Sequence, residues 1–189
     1  MNKRLLYACL LIVVSVILLV RCIGGKEKKD LRGNEFAGAE ACISCHKSIY
    51  DSYSTTAHHN TSKAAADSTI LGSFKSPDNI FDFTNGVQVK MESRDSGLFQ
   101  AAYLNNQLQE ARRFEMTIGS GRKAQTYLYF KGDQYMQLPL SYLVSAHNWA
   151  NSPGFPASHP RFDRVVNTAC FGCHTSKVEV KGIKTQGTG

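Results

Sequence analysis

The chain has 189 residues, 42% of them hydrophobic, which is enough apolar material for one ordinary globular core. Its formal net charge is +7, but Lys3, Arg4 and Arg21 flank an N-terminal apolar run, so the remainder carries only about +4. The other basic residues are scattered among acidic ones instead of forming one basic face, which argues against nucleic acid as a partner.

The N-terminal stretch "MNKRLLYACLLIVVSVILLVRC" has a basic start and an apolar run from Leu5 to Val20. Residues 1–23 are therefore predicted to be an export signal or membrane anchor. The run lies near the lower length limit for a spanning helix, and no A-x-A cleavage site follows it, so an uncleaved anchor is favoured. Acylation of Cys22 as a lipoprotein is the alternative, although Arg21 is a poor match before it. Either reading places the rest of the chain on the periplasmic side of a bacterial inner membrane.

Residues 24–35, "GGKEKKDLRGNE", are rich in charged side chains and are predicted to be a solvated tether. A folded domain is expected over residues 36–176, followed by a flexible tail over residues 177–189. Within the domain, Ala39–Tyr53 has apolar residues at helical spacing and is predicted to be a short helix.

The region from Ile80 to Val144 has the character of β-structure. In "GVQVKMES" the apolar residues Val87, Val89 and Met91 alternate with polar ones, and the aromatic or β-branched runs that follow are separated by turn-forming dipeptides. This pattern predicts an antiparallel meander. The fold class expected is α+β, with short helices at both ends of the meander.

Two near copies of one motif, "EACISCH" and "TACFGCH", lie at the ends of the predicted domain. Each contains Cys-x-x-Cys-His, the attachment signature of c-type haem, in which two thiols bind the porphyrin edge and the histidine binds the iron. Cys42 and Cys45 would hold one haem, with His46 on its iron. By the same reasoning, Cys170 and Cys173 would hold a second haem, with His174 on its iron.

Three other uses of paired cysteines fit less well. The pairs of a zinc site normally lie about 15–20 residues apart, far less than the separation of Cys45 and Cys170. A thioredoxin-like pair expects a βαβ context, which the sequence lacks. Structural disulfides suit an exported protein but do not explain a histidine after both pairs.

Four further histidines are candidates for the sixth iron ligand. His58 is favoured for the first haem, with the adjacent His59 as its alternative. For the second haem, His147 and His159 remain equal candidates.

Two arginines are candidates for a role beside the second haem. Arg161 and Arg164 precede the second motif and could pair haem propionates, for which a guanidinium fork is well shaped. The methionines at apolar strand positions are expected to pack in the core instead of ligating iron; they are Met91, Met116 and Met136.

A family resemblance is carried by "YDSYSTTAHHNTS" after the first motif and "IGSGRKAQTYLYFKGDQYMQLPLSYLVSAHNWANSPGFP" before the second. Together with the two motifs, these stretches resemble exported bacterial multihaem c-type cytochromes, some of whose relatives carry tetratricopeptide repeats. The resemblance covers Phe36 to Ser176 and implies a multihaem cytochrome c-like fold and periplasmic electron transfer. A Thr/Ser-x-His after the first motif looks like a distal ligand in such relatives, which implies that role for His58. Longer members continue well beyond the second motif, whereas this sequence ends soon after it.

The sequence thus predicts a membrane-tethered dihaem electron carrier with two covalent haems c and no catalytic residues. Its expected partners are other redox proteins, either cytochromes or membrane quinol-linked complexes, and the membrane itself through the N-terminal segment. The alternative is a haem enzyme of the peroxidase or nitrogen-oxide reductase type, with one open iron site and a spare histidine as proton donor. A third reading is a structural subunit that docks a partner through the edge of the meander.

Overall fold

The computed structural model describes residues 4, 7, 10–16 and 36–175. Residues 10–16 are helical, and the described part of the chain contains no helix long and apolar enough to cross a membrane. The predicted tether and tail lie outside the described residues, and the predicted anchor is described only at residues 4, 7 and 10–16. The chain divides into two compact units, Met1–Ser44 and Cys45–Gly189, so the division falls within the first Cys-x-x-Cys-His motif.

In the N-terminal unit, a 3₁₀ helix at Ala39–Cys42 carries the first cysteine of the motif. Gly38 precedes it with a φ of 77°, a left-handed backbone conformation that glycine adopts without steric cost. Cys42 is exposed at the end of this turn.

Two α-helices carry the remaining motif residues. Helix α1 is Ile43–Ser54, which continues into the larger unit and has non-helical backbone at His46, with φ −130° and ψ 40°. Helix α2 is Thr168–His174, and the Asn167 side chain caps it by accepting a hydrogen bond from the backbone N–H of Cys170. Neither helix buries any of its own residues.

Short antiparallel strands occupy the region between the helices. They are β1 (Ser62–Ala64), β2 (Ile80–Asp82), β3 (Val87–Arg94), β4 (Gly97–Leu104), β5 (Gln107–Arg113), β6 (Met116–Ile118), β7 (Ala124–Lys131), β8 (Gln134–Gln137), β9 (Leu140–Leu143), β10 (Asn148–Asn151) and β11 (Arg164–Val165).

The strands form two sheets, whereas the sequence predicted one meander. Strands β2 to β5 pair in chain order as a four-stranded antiparallel sheet, and the others form a seven-stranded sheet with the order β1-β6-β7-β8-β11, in which β9 pairs β7 and β10 pairs β9. Strand β1 lies before the region predicted to be β-structure, and its Ser62 pairs with Ile118 of β6. The difference arises because local alternation and turn residues fix where strands form, while distant pairing partners follow from the packing of the whole chain.

The core contains residues of both sheets. Val87, Val89 and Met91 are buried on one face of β3, as their alternation predicted, and Met136 of β8 is also buried. Trp149 is the only tryptophan, is 2% exposed, and packs against the rings of Phe74, Phe114, Tyr127 and Tyr142.

One buried amide connects the two sheets. Gln100 of β4 has no exposed surface, and its Nε2 donates to the carbonyl oxygen of Leu140 at 2.9 Å. Its Oε1 accepts from the backbone N–H of Leu140, in β9, at 3.0 Å. Because both polar groups of the amide are satisfied, a glutamine is tolerated at the centre of this interface.

Candidate functional site

The segment before the second motif is fixed to the edge of the seven-stranded sheet. In β11, Arg164 pairs with Gln137 of β8, and the backbone N–H of Val166 donates to the carbonyl oxygen of Tyr135 at 2.8 Å. The ring of Phe171, inside the motif, packs edge-on against Tyr135 with a centroid distance of 4.9 Å. These contacts orient α2 against the sheet.

A cleft of about 270 Å³ lies between α2 and the sheet. Its lining comes from three parts of the larger unit: sheet residues Ile118, Thr126, Leu128 and Gln137, the β11 segment Arg164–Asn167, and α2 residues Cys170, Phe171 and His174. The second motif therefore opens directly onto a partly apolar cleft, the kind of concave surface on which cofactors bind.

The imidazole of His174 has a defined hydrogen-bond partner on one side. Its Nδ1 lies 2.7 Å from Oγ1 of Thr61, which immediately precedes β1. The hydroxyl of Ser62 donates to the backbone carbonyl of His174 at 3.0 Å and fixes the end of the helix. With Nδ1 engaged, Nε2 is the ring nitrogen left to bind a metal.

Arg164 supplies the positive charge of the cleft lining. Its Nη1 donates to the carbonyl oxygen of Pro153 at 2.6 Å, and its guanidinium lies over the ring of Phe155 at 5.1 Å. Both contacts hold the guanidinium in place, and its remaining N–H donors suit a carboxylate. Arg161, by contrast, forms an exposed ion pair with Asp163 at 2.9 Å, and this guanidinium holds the pKa of the Asp163 carboxyl below its usual value.

The residues around the second motif fit a covalently bound haem. Both thiols, Cys170 and Cys173, are exposed and therefore accessible for thioether formation. The cleft beside them offers apolar surface for a porphyrin, an imidazole with Nε2 available for iron, and a guanidinium for a propionate. Helix α2 buries none of its own residues, as expected if its partner is a cofactor.

The boundary between the two units falls inside the first motif, between Ser44 and Cys45. Cys45 and His46 are exposed in α1. The same helix presents Ile49 and Tyr53, which lie four residues apart and are 65% and 42% exposed. Residues at this spacing share one helix face, so α1 offers an uncovered apolar surface within the larger unit.

The turn after α1 positions the favoured distal histidines. Thr56 Oγ1 accepts from the backbone N–H of His59 at 3.1 Å and donates to the carbonyl oxygen of Tyr53 at 2.7 Å. The ring of His59 packs edge-on against Tyr53, with centroids 4.9 Å apart. Both histidine side chains are exposed, and the choice of His58 over His59 as distal ligand stays a prediction.

The candidates for the distal ligand of the second haem lie elsewhere. His147 is in the turn between β9 and β10 with a φ of 48°, and His159 pairs its Nδ1 with the Ser158 hydroxyl at 2.9 Å. Neither is among the described residues that line the cleft. The structure does not bring either histidine to the second motif, and their role stays a prediction.

Sequence reasoning missed Thr61 entirely. It lies 113 positions before His174, and a lone threonine in a polar stretch gives no signal of its contact. The sequence also gave no signal of a chain of three aromatic rings in contact beside the second motif. Phe171 contacts Tyr135, and the ring centroid of Tyr135 lies 4.7 Å from that of the half-exposed Phe130. Only the sheet pairing places these rings side by side.

Metal binding by clustered side chains is not seen in the described part of the chain. No group of three or more His, Cys, Asp or Glu side chains lies close enough there to hold a metal ion.

Comparison with protein families gives a match to the first motif and the residues that follow it. The family model described as cytochrome c554 and c-prime matches residues 41–76, which contain the first motif, α1 and the turn with His58 and His59. This match supports a c-type cytochrome family, a class in which haem c is bound covalently and carries electrons. No curated protein and no solved structure matches the chain. The multihaem character and relatives with tetratricopeptide repeats stay predictions.

Proposed function

We propose that the chain is a dihaem c-type cytochrome, tethered on the periplasmic side of a membrane, that transfers electrons between redox partners. The observation that carries the proposal is the second motif, whose histidine and one of whose cysteines line a cleft over the sheet. The family match covers the first motif but not the second. Haem binding at the first motif is therefore supported by that match, and haem binding at the second by its place beside the cleft.

Each motif residue has a defined task in this function. Cys42 and Cys45 hold one haem and Cys170 and Cys173 hold the other, through thioether bonds to the porphyrin edge. His46 and His174 bind the two irons as proximal ligands. The haem iron supplies one-electron exchange between its ferric and ferrous states.

The protein controls that exchange through the surroundings of each haem. Apolar residues of the cleft, such as Ile118 and Leu128, exclude water from one side of the second haem and disfavour charge there. Arg164 can offset the negative charge of a propionate in the same cleft. At the first haem, His58 would be the second imidazole ligand of the iron, and two imidazole ligands would give a lower potential than histidine with methionine.

Partners follow from the same chemistry. The donor and acceptor are other redox proteins, either cytochromes or membrane quinol-linked complexes, and the N-terminal segment holds the protein at the membrane with them. The localisation rests on the predicted signal or anchor at residues 1–23.

One observation favours the enzyme alternative at the second haem. Among the described residues that line the cleft, His174 is the single histidine, and apart from Cys170, which belongs to the attachment pair, none of the others is a usual axial ligand of haem iron. If no histidine from another part of the chain binds this iron, its distal position is open to a small molecule, as a peroxidase or nitrogen-oxide reductase requires.

The haem content tests the proposal directly. Full-length protein, matured in a host that attaches haem c, should keep two haems after denaturation, seen by haem staining of a gel and by intact mass. The paired variants Cys42→Ala/Cys45→Ala and Cys170→Ala/Cys173→Ala are matched controls, and each should lose one haem. Wild-type protein with no covalent haem, or with zinc in its place, would refute the proposal.

Carbon monoxide separates the two functions. Two six-coordinate low-spin haems that do not bind carbon monoxide when reduced favour the electron carrier. Binding at one haem, lost in the Cys170→Ala/Cys173→Ala variant, would favour the enzyme.

A further inference from the structure

The turn that follows the first motif contacts the second motif. Thr61 lies three residues after His58, and its backbone N–H donates to the carbonyl oxygen of His58 at 3.4 Å. Its side-chain Oγ1 lies 2.7 Å from Nδ1 of His174. One residue therefore joins the candidate distal loop of the first haem to the candidate proximal ligand of the second.

The chemistry of imidazole fixes the direction of the hydrogen bond once iron is bound. A neutral histidine ligates iron through an unprotonated nitrogen, so when Nε2 binds the metal the ring proton lies on Nδ1. Oγ1 of Thr61 then accepts from Nδ1–H. Outer partners of this kind fix the tautomer and ring orientation of metal-binding histidines and raise the basicity of the ligating nitrogen.

The position of Thr61 is itself well held. Its carbonyl oxygen accepts from the backbone N–H of Gly119 at 2.6 Å, and the next residue, Ser62, pairs with Ile118 in the sheet. Gly119 has a φ of 110°, and an added Cβ there would lie 2.5 Å from the carbonyl oxygen of Ala124, so only glycine allows this close approach. The acceptor is thus anchored to the sheet that forms the floor of the cleft.

We propose that Thr61 is a positioning residue for the second haem, whose hydroxyl accepts Nδ1–H of His174 and so directs Nε2 at the iron and lowers the reduction potential. The inference rests on the proposed function, because it requires haem on the second motif. A more basic imidazole stabilises ferric iron more than ferrous iron, which gives the direction of the effect.

Thr61→Val tests the hydroxyl with little change in shape. In a potentiometric titration of the full-length dihaem protein, one of the two one-electron midpoints should rise and the other should stay. A threefold to tenfold loss of preference for ferric iron corresponds to a rise of about 28 to 59 mV, at 59 mV per tenfold for one electron. The low-spin electron paramagnetic resonance signal of one haem should shift as well, because the ring is no longer held in one orientation.

Two further variants isolate the ring contact. Thr61→Ser keeps a hydroxyl and should return the midpoint towards the wild-type value. Ser62→Ala removes the hydrogen bond to the backbone carbonyl of His174 but leaves the ring contact, and should change neither midpoint. If Thr61→Val does not fold, as judged by circular dichroism, Thr61→Ala serves in its place because a smaller side chain adds no atoms to the site.

The possible failures are distinguishable. Thr61→Val with two attached haems and unchanged midpoints would overturn the role of Thr61 and leave the proposed function intact. Equal shifts in Thr61→Val and Ser62→Ala would show that only the packing of α2 matters, and would also overturn it. Wild-type protein without a haem on Cys170 and Cys173 would instead refute the proposed function.

Discussion

Replacing Gln100 with methionine should destabilise the protein strongly without touching either haem site. Methionine has a similar length and flexibility, so it fills the same space but cannot pair with the backbone of Leu140. The N–H and the carbonyl oxygen of Leu140 each lose a buried partner. A buried group left unpaired costs about 1–3 kcal/mol, so the two together should lower the free energy of unfolding by about 4 kcal/mol. For a chain of this size, that is a fall in melting temperature of about 8–16 °C.

Thermal unfolding, followed by circular dichroism and by the fluorescence of Trp149, measures this change. The matched control is Gln88→Met, which removes a hydrogen bond from Gln88 Nε2 to Asp82 at the exposed edge of the four-stranded sheet. Water replaces that partner, so the control should lose less than about 1 kcal/mol. Equal losses in the two variants would refute the argument that Gln100 joins the sheets through a buried amide paired with the backbone of Leu140.

Two predictions concern the first haem and the pH dependence of stability. His58→Ala should make one haem high-spin or water-ligated, able to bind carbon monoxide when reduced, and higher in reduction potential. The control His59→Ala should change the spectrum little. A His58→Ala spectrum equal to that of wild type would show that another residue is the ligand. Burial raises the pKa of Tyr127, with a smaller contribution from Tyr142, so the folded protein keeps this proton where the unfolded chain releases it, near pH 10. The stabilisation is therefore present below pH 10 and lost as the pH rises above it. Denaturant unfolding between pH 8 and 11 should show that the free energy of unfolding falls more steeply with pH for wild type than for Tyr127→Phe. Parallel curves for the two proteins would contradict the assignment to Tyr127.

Local pattern predicted much of the secondary structure and little of its pairing. The alternation in "GVQVKMES" identifies β3 and its buried face, because side chains on a strand point to opposite sides in turn. The assignment of β6 and β7 to a different sheet from β3 to β5 could not be read in this way. It depends on contacts such as Ser62 with Ile118 and Gln100 with Leu140, between residues far apart in the chain.

The candidate site shows the same limit. Cys-x-x-Cys-His is a chemical signature within five residues, so Cys170, Cys173 and His174 are evident without a structure. Thr61 and Ile118 come to the second motif through the pairing of β1 with β6, which no short pattern encodes. Arg164 could be named from its position before the motif, but only its contacts with Pro153 and Phe155 distinguish it from Arg161.

The two helices that carry the motifs contribute nothing to the buried core, and this has a consequence for the order of maturation. None of the buried core residues belongs to α1 or α2, so we expect a precursor whose sheets are folded before a cofactor is attached. In that precursor Cys170 and Cys173 stand exposed on a helix of seven residues, too short to be stable in water alone. If haem c is attached to this motif, as proposed, an attachment enzyme would act on two exposed thiols beside two folded sheets, and we expect attachment to make the helix more rigid.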